Sequence, residues 1–154
     1  TYLILSFTKG DKIIMSLQGK TALITGGSRG IGAAITRKLA MEGAHVVFTY
    51  AKSTSEAQAL IHDIEKIGVK AVAVAANAHD PGNLSPLIQK AIAEIGGKID
   101  ILVNNAGIFE TGIINDITLD TFEKTLSVNV RAVFVTTQEA LKYMNDGGRI
   151  INIG

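Results

Sequence analysis

Cysteine is absent from this chain, and neither sign of charge is in excess. The absence of cysteine excludes disulfides, thiolate catalysis and metal sites with sulfur ligands, and it is compatible with the cytoplasmic location that we expect. With 15 basic and 14 acidic residues the formal net charge is +1. Because no basic cluster is present either, the sequence gives no electrostatic case for a nucleic acid or an anionic membrane as partner. His45, His62 and His79 lack the paired spacing of a metal site, so we expect no metal.

Long hydrophobic runs are absent as well. Residues 2–5 form an apolar run that is too short to span a bilayer and has no basic flank before it, so we expect neither a signal peptide nor a membrane anchor. Residues 1–14 do not fit the pattern of the rest of the chain, and Met15 is a suitable start. We therefore interpret residues 1–14 as a leader or vector-derived segment with little structure, and residues 15–154 as one domain.

The chain does contain many apolar residues, arranged in alternating strand and helix patterns. Hydrophobic residues make up 47% of the sequence and charged residues 19%, which is typical of a folded domain with buried strands. Amphipathic stretches predict helices, and the segment before the last strand is either one long helix or two pieces. Short runs rich in apolar and β-branched residues predict five strands, at residues 22–24, 44–49, 70–75, 99–104 and 149–153.

Polar residues mark where three of the helices begin. Ser53 and Glu56 have the spacing of a capping box, and Asp80 stands before a proline in the first turn of the next helix. Thr118 is the expected cap of the long helical segment. The two glycines at 147–148 are expected to end that segment.

Strands that alternate with helices through short connections predict right-handed crossovers and a parallel sheet covered on both faces. We therefore predict an α/β fold of the Rossmann type, a doubly wound parallel sheet in three layers with its five strands in the order 3-2-1-4-5. In such a sheet the ligand lies beyond the carboxyl ends of the strands, where the strand order reverses.

The first predicted strand runs into a turn with three spaced glycines, Gly26, Gly30 and Gly32, and then into a helix. Glycine accepts positive φ and lets another group approach the backbone closely. The free amides and the dipole at the start of the helix favour an anion such as a pyrophosphate. Ala33 and Ala34 follow where a P-loop has a lysine and a hydroxyl residue, so the turn is not a P-loop. The alternative is a turn that binds nothing.

Two motifs follow each other in the order expected of one family. Residues 25–32 have the form Thr-Gly-x-x-x-Gly-x-Gly, and residues 104–107, at the end of the fourth predicted strand, read Asn-Asn-Ala-Gly. Over residues 17–154 the chain resembles the N-terminal half of the short-chain dehydrogenase/reductase family, including its 3-oxoacyl-carrier-protein reductases. The resemblance implies hydride transfer between a nicotinamide cofactor and a small carbonyl or alcohol, by an enzyme that is a homo-oligomer when complete.

The fold and the resemblance together imply that residues 15–154 form one dinucleotide-binding domain. Its candidate residues belong to the glycine turn, to the exits of the second and third strands, and to the Asn-Asn-Ala-Gly motif. The candidate cofactor-binding residues are Gly26, Ser28, Arg29, Gly30, Ile31, Gly32, Tyr50, Lys52, Ser53, Asn77, Ala78, Asn104, Ala106 and Gly107.

The exit of the second strand bears on the choice of cofactor. NAD-specific sites place an Asp or Glu about 20 residues after the glycines to bond the ribose 2′-OH. Here no carboxylate precedes Glu56, whereas Arg29 and Lys52 supply positive charge and Ser53 a hydroxyl. We therefore predict NADP(H) in preference to NAD. The alternative is that both cations are solvated at the surface.

Asn129 is the one candidate catalytic residue. It lies on the apolar stripe of the long helical segment, where we expect a buried amide with hydrogen-bond partners. In the family that this chain resembles, an asparagine in such an Asn-Val context is catalytic and holds a water of the proton relay. The alternative is a purely structural amide.

The resemblance also implies a catalytic Ser after the fifth strand and a Tyr-x-x-x-Lys pair, and neither occurs in this chain. We therefore expect a truncated oxidoreductase that is inactive by itself. Two alternatives stay open, a non-catalytic NAD(P)-binding regulatory module and, with less support from the glycine spacing, an adenosyl site of the methyltransferase type.

Overall fold

The computed structural model describes residues 16–78 and 80–154, so the predicted leader, Met15 and His79 lie outside the described residues. Among the helices of the described part, none has both the length and the hydropathy to cross a membrane. The elements, in chain order, are β1 Thr21–Ile24, α1 Gly30–Met41, β2 His45–Tyr50, α2 Thr54–Glu65, β3 Ala71–Ala75, α3 Pro81–Ile95, β4 Ile99–Asn104, α4 Leu119–Leu126, a π-helical turn Ser127–Arg131, α5 Ala132–Leu141 and β5 Met144–Asn152.

The five strands of the described residues form one parallel sheet in the order β3-β2-β1-β4-β5. This confirms the predicted Rossmann-type α/β fold and its strand order. β1 is central, with Leu23 paired to Val47 of β2 on one side and to Leu102 of β4 on the other. The chain moves outward from β1 to β3 and returns with β4 to the opposite side of β1. The strand order therefore reverses between β1 and β4, where a ligand crevice is expected.

Helices cover both faces of the sheet, and each face has its own apolar core. On one face Leu23 belongs to a cluster that includes Ile92 of α3 and Ala140 of α5. On the other face Ile24 belongs to a cluster that includes Leu60 of α2. Successive residues of a strand point to opposite faces, which is why the neighbours Leu23 and Ile24 lie in different cores. The three predicted layers are therefore present.

The long helical segment before β5 is continuous, but it is not α-helical throughout. It begins as predicted, because the Thr118 hydroxyl accepts a hydrogen bond from the Thr121 N–H at 3.2 Å. α4 then leads into the π-helical turn, in which the Ala132 N–H bonds to the carbonyl of Ser127, and continues as α5. A π-helical turn holds one residue more than an α-helical turn and is frequent at functional sites.

The end of this helical segment differs from the prediction. α5 ends at Leu141, and the glycines at 147–148 lie inside β5 rather than at the end of a helix. Met144 pairs with Ile99 of β4, so strand pairing starts where the sequence pattern still indicates helix. The register shifts just after this pair, and Gly147 with a φ of 76° lies in the irregular part of the strand.

Two of the predicted caps occupy the cap position without capping. Ser53 and Asp80 precede α2 and α3, but neither side chain accepts a backbone N–H of its helix. Glu56, the expected capping-box partner of Ser53, accepts from the Ser55 hydroxyl at 2.8 Å. The Asp80 carboxylate accepts from the side-chain amide of Asn83. Local side-chain hydrogen bonds have therefore replaced both predicted caps.

Candidate functional site

A cavity of about 800 Å³ opens at the carboxyl ends of the strands, across the reversal of strand order between β1 and β4. The fold brings separate stretches of chain together here, because the exits of neighbouring parallel strands meet at one edge of the sheet. All fourteen candidate cofactor-binding residues line this cavity, namely Gly26, Ser28, Arg29, Gly30, Ile31, Gly32, Tyr50, Lys52, Ser53, Asn77, Ala78, Asn104, Ala106 and Gly107.

Three of the four glycines at residues 26–32, namely Gly26, Gly30 and Gly32, are suited to their positions for different structural reasons. Gly26 and Gly30 have positive φ, 65° and 53°, a region that other residues rarely adopt. Gly32 has no room for a side chain, because a Cβ atom there would overlap the Gly26 carbonyl and the Asn105 amide. A Cβ at Gly30 would meet nothing within 4 Å, so the backbone at Gly30 borders open space.

Thr25 joins the glycine turn to the Asn-Asn-Ala-Gly motif. Its hydroxyl accepts from the backbone N–H groups of Asn105 and Ala106, each at 3.0 Å. In return the Asn105 side-chain amide donates to the carbonyls of Thr25 and Gly26, at 3.0 and 3.1 Å. The two sequence motifs therefore form one hydrogen-bonded unit across the point where the strand order reverses.

Thr49 of β2 fixes the turn from its other side. Its hydroxyl accepts from the Gly26 N–H at 3.1 Å, and its carbonyl accepts from the Gly27 N–H at 2.9 Å. The turn is therefore held by both neighbouring strands before any ligand binds.

The start of α1 is suited to an anion. The first bond of the helix runs from the Ala33 N–H to the Arg29 carbonyl at 3.1 Å, so the amides of residues 30–32 precede it. No acidic residue occurs in the first turn, and the Arg29 side chain does not cap the helix. The dipole of a twelve-residue helix adds to this preference for negative charge.

The charged groups that line the cavity are all cations, Arg29, Lys52 and Lys124. The ammonium group of Lys124 lies 2.7 Å from the Glu110 carboxylate, and both side chains are partly exposed. The pKa of Glu56, which does not line the cavity, lies below its usual value, chiefly through hydrogen bonds from its own backbone N–H and the Ser55 hydroxyl and least through attraction to Arg29. Among the described residues, no carboxylate lines the part of the cavity beside β2.

Asn104 closes the bottom of the cavity at the end of β4. The residue is 3% exposed, and its amide donates to the Thr137 hydroxyl at 3.0 Å and to the Asn152 side-chain oxygen at 2.9 Å. Its own side-chain oxygen has no hydrogen-bond partner among the residues that the structure describes. Asn104 thus links β4, α5 and β5 beneath the cavity.

Asn129 lies in the π-helical turn, and its environment corrects the prediction of a buried amide. The residue is exposed, yet both side-chain atoms are used, since Nδ2 donates to the Ile108 carbonyl and Oδ1 accepts from the Ile108 N–H, each at 2.9 Å. The extra residue of the π-helical turn alters the regular helical spacing on which the prediction relied. Asn129 does not line the cavity, but Ile108 does. Its observed contact is thus with the backbone of the loop after β4.

Several residues of the site were not predicted. Thr25, Thr49 and Asn105 shape the turn through hydrogen bonds, and a threonine at the end of a strand carries no signal for such a role. Others reach the cavity from the long helical segment, and the helical pattern of the sequence does not indicate which of its residues face the cavity. These are Lys124, Val128, Ala132, Val133 and Thr136.

The parallel sheet with its strand order 3-2-1-4-5 and the cavity at the point of reversal define a Rossmann-type nucleotide-binding architecture. The family model described as short chain dehydrogenase matches residues 20–154, and the chain belongs to this family.

Individual relatives agree with this membership. An oxidoreductase of Methylorubrum extorquens is 42% identical over 137 residues, which are 89% of this chain and 55% of that protein. Two solved structures, a short-chain dehydrogenase/reductase from Serratia marcescens and a short chain dehydrogenase from Burkholderia cenocepacia in complex with NADP, are each 50% identical with a TM-score of 0.87. Both matches cover 90% of this chain and 56% of the other. The chain thus spans about half the length of the relatives it matches.

Proposed function

We propose that this chain binds NADP(H) and forms the cofactor-binding part of an oxidoreductase that transfers hydride between the nicotinamide and a small carbonyl or alcohol substrate. The observation that carries the proposal is the meeting of all fourteen candidate residues in one cavity at the reversal of strand order. Membership of the short chain dehydrogenase family supports it, as does the NADP bound to the Burkholderia relative.

We place the two halves of the dinucleotide on opposite sides of β1, and the order of the strands supports this placement. The amides at the start of α1 follow β1 and suit the pyrophosphate. The adenosine half then lies toward β2 and β3, because the residue that reads its ribose follows β2 in such domains. The nicotinamide half lies toward β4, where Ala106 and Gly107 let a ribose approach the backbone.

The preference for NADP(H) rests on charge at the adenosine end. Arg29 and Lys52 line the cavity there, no acidic side chain of the described residues does, and the Ser53 hydroxyl is not used as a helix cap. A carboxylate at this position would repel a 2′-phosphate, whereas a guanidinium or an ammonium group binds it.

When bound, the cofactor would supply the hydride in its reduced form and accept it in its oxidised form. Asn129 is our candidate catalytic residue, and its two hydrogen bonds to Ile108 support a role in holding the wall of the cavity. Within these 154 residues no tyrosine is followed four residues later by a lysine, so we expect them to bind the dinucleotide without reducing a carbonyl by themselves. For the complete protein we propose a cytoplasmic homo-oligomer, as the family resemblance implies.

Fluorescence titration of the chain with NADPH and with NADH tests the proposal. We expect the lower Kd for NADPH. The double variant Arg29→Ala/Lys52→Ala should reduce this preference about tenfold, because it removes charge-assisted contacts to the 2′-phosphate. Lys90→Ala is the matched control, since Lys90 is an exposed cation of α3 that does not line the cavity.

Each outcome decides one part of the proposal. If neither nucleotide binds, the dinucleotide site is wrong. If the double variant keeps the wild-type preference, the assignment of Arg29 and Lys52 is wrong. If NADPH binds but the reading frame beyond residue 154 encodes neither the Ser nor the Tyr-x-x-x-Lys pair, the chain is the non-catalytic module instead.

A further inference from the structure

The loop between β4 and α4 borders the cavity, and only its first residues, Asn105 and Ala106, are held by Thr25 and Gly26. Residues 109–118 are all exposed, and Phe109 is 89% exposed, so burial contributes little to the conformation of this part of the loop. Ile108 at the start of the loop lines the cavity on the β4 side of the sheet. The position of this wall therefore depends on individual polar contacts.

Two contacts tie the loop to the same stretch of helix. Asn129 holds the backbone of Ile108 through two hydrogen bonds of 2.9 Å. Two residues further along the loop, the Glu110 carboxylate meets the ammonium group of Lys124 of α4 at 2.7 Å. Because Lys124 also lines the cavity, this ion pair joins the loop to a second part of the cavity wall.

We propose that Glu110 is a positioning residue. Its ion pair with Lys124, which we call the latch, holds the loop against α4. The latch thereby keeps Ile108 and the Lys124 side chain in the arrangement that accepts the nicotinamide half of the dinucleotide. The pair also offsets the positive charge of Lys124 at this end of the cavity. The position of the nicotinamide half rests on the proposed function, whereas the latch itself does not.

The size of the expected effect follows from exposure. The two side chains are 44% and 39% exposed, so the pair is a weak ion pair screened by solvent. An exposed loop opens at little cost, and even a weak tether changes its open population measurably. Loss of the pair should therefore speed hydrogen exchange of the loop amides by about two- to fivefold.

Hydrogen exchange of the nucleotide-free full chain tests the latch. We expect faster exchange over residues 108–118 in Glu110→Gln and in Lys124→Gln, and recovery toward wild type in the charge-swapped variant Glu110→Lys/Lys124→Glu. Glu123→Gln is the matched control, because it makes the same charge change on α4 at a side chain with no ion pair among the described residues. The latch is wrong if the swapped variant exchanges as fast as the single variants, or if these behave like Glu123→Gln.

The salt dependence of hydrogen exchange tests the latch in the wild-type chain. Raising the ionic strength from about 0.02 M to about 1 M screens exposed ion pairs, so it should speed exchange in the loop of the wild-type chain but not in β1. Equal effects of salt on the loop and on β1 would also overturn the latch.

Nucleotide binding separates the latch from the proposed function. Glu110→Gln should weaken binding of NADPH about two- to fivefold and leave binding of adenosine 2′,5′-bisphosphate, which has no nicotinamide half, unchanged. Equal weakening of both ligands would overturn the positioning role. Absence of binding by wild type together with rescue of exchange in the swapped variant would overturn the proposed function and leave the latch in place.

Discussion

The Thr25 hydroxyl and the backbone of Asn105 are joined at 3.0 Å across the point where the strand order of the sheet reverses. The same hydroxyl accepts from the next amide, that of Ala106, so one side chain satisfies two backbone N–H groups at the end of β4. Thr25 itself is buried, whereas Asn105 and Ala106 are half-buried and line the cavity. The geometry of the cavity thus depends on a residue that binds no ligand in our proposal.

Replacement of this hydroxyl is the first test. Thr25→Val keeps the shape of the side chain but leaves two partly buried amides without their acceptor, so we expect it to lower the free energy of unfolding by about 1–3 kcal/mol. Thr25→Ser retains the hydroxyl and is the control. Urea unfolding followed by circular dichroism measures both. Equal stability of the two variants would contradict the role that we assign to Thr25.

Gly32 provides a second test. A Cβ at this position would overlap the Gly26 carbonyl and the Asn105 amide, which are held by other hydrogen bonds and cannot move freely. We therefore expect Gly32→Ala to lower the free energy of unfolding by about 1–3 kcal/mol and to weaken NADPH binding. In Gly82→Ala the new Cβ would meet only the Asp80 carboxylate, at 3.6 Å, in the first turn of α3. This control should be neutral or slightly stabilising. A melting temperature of Gly32→Ala at or above that of Gly82→Ala would contradict the predicted overlap at Gly32.

The Asp100 carboxylate should make the free energy of unfolding depend on pH. Its carboxylate accepts from the Thr21 N–H at 3.0 Å, the Asn145 amide at 3.0 Å and the Lys20 ammonium at 3.1 Å, and so joins β1, β4 and β5. Burial raises the pKa of Asp100, but these hydrogen bonds and the charge of Lys20 outweigh burial and hold it below the usual 3.8. A carboxyl whose pKa is lower in the folded state stabilises the fold above its unfolded-state pKa and loses this contribution as the pH falls through the folded-state pKa.

We therefore expect wild type to lose stability as the pH is lowered from about 5 toward 2, and Asp100→Asn to lose less over the same range. At pH 7 we expect Asp100→Asn to be less stable than wild type by about 1–3 kcal/mol. Asp63→Asn is the control, because the ion pair of Asp63 with Arg37 is longer, at 3.4 Å, and both side chains are about half exposed. Thermal melts across this pH range measure the difference. Parallel pH profiles for wild type and Asp100→Asn would contradict the assignment.

The features that the sequence predicts correctly are those that depend on local pattern. The strand order and the meeting of the glycine turn with residues 104–107 follow from the alternation of apolar strands and amphipathic helices, because parallel connections have a fixed hand. The tight turn at Gly26 and Gly30 can also be predicted from the local sequence, because the ability to adopt positive φ is a property of the single residue.

The features that the sequence did not reveal depend on contacts between distant residues. Met144 belongs to β5 rather than to the preceding helix because it pairs with Ile99. The side chain of Asn129 turns toward Ile108 because a π-helical turn interrupts the regular period. Ser53 does not cap α2 through its side chain, and its expected capping-box partner Glu56 accepts a hydrogen bond from Ser55 instead. In each case a tertiary or competing local contact overrides a propensity that is only a few tenths to about 1 kcal/mol strong.

A crystal structure of this chain with NADP⁺ tests the central claim most directly. We expect the pyrophosphate to lie against the backbone amides of residues 30–32, with the 2′-phosphate beside Arg29 and Lys52 and the nicotinamide half toward Ala106. A nucleotide bound elsewhere, or a turn at residues 26–32 that stays empty at saturating nucleotide, would contradict the account.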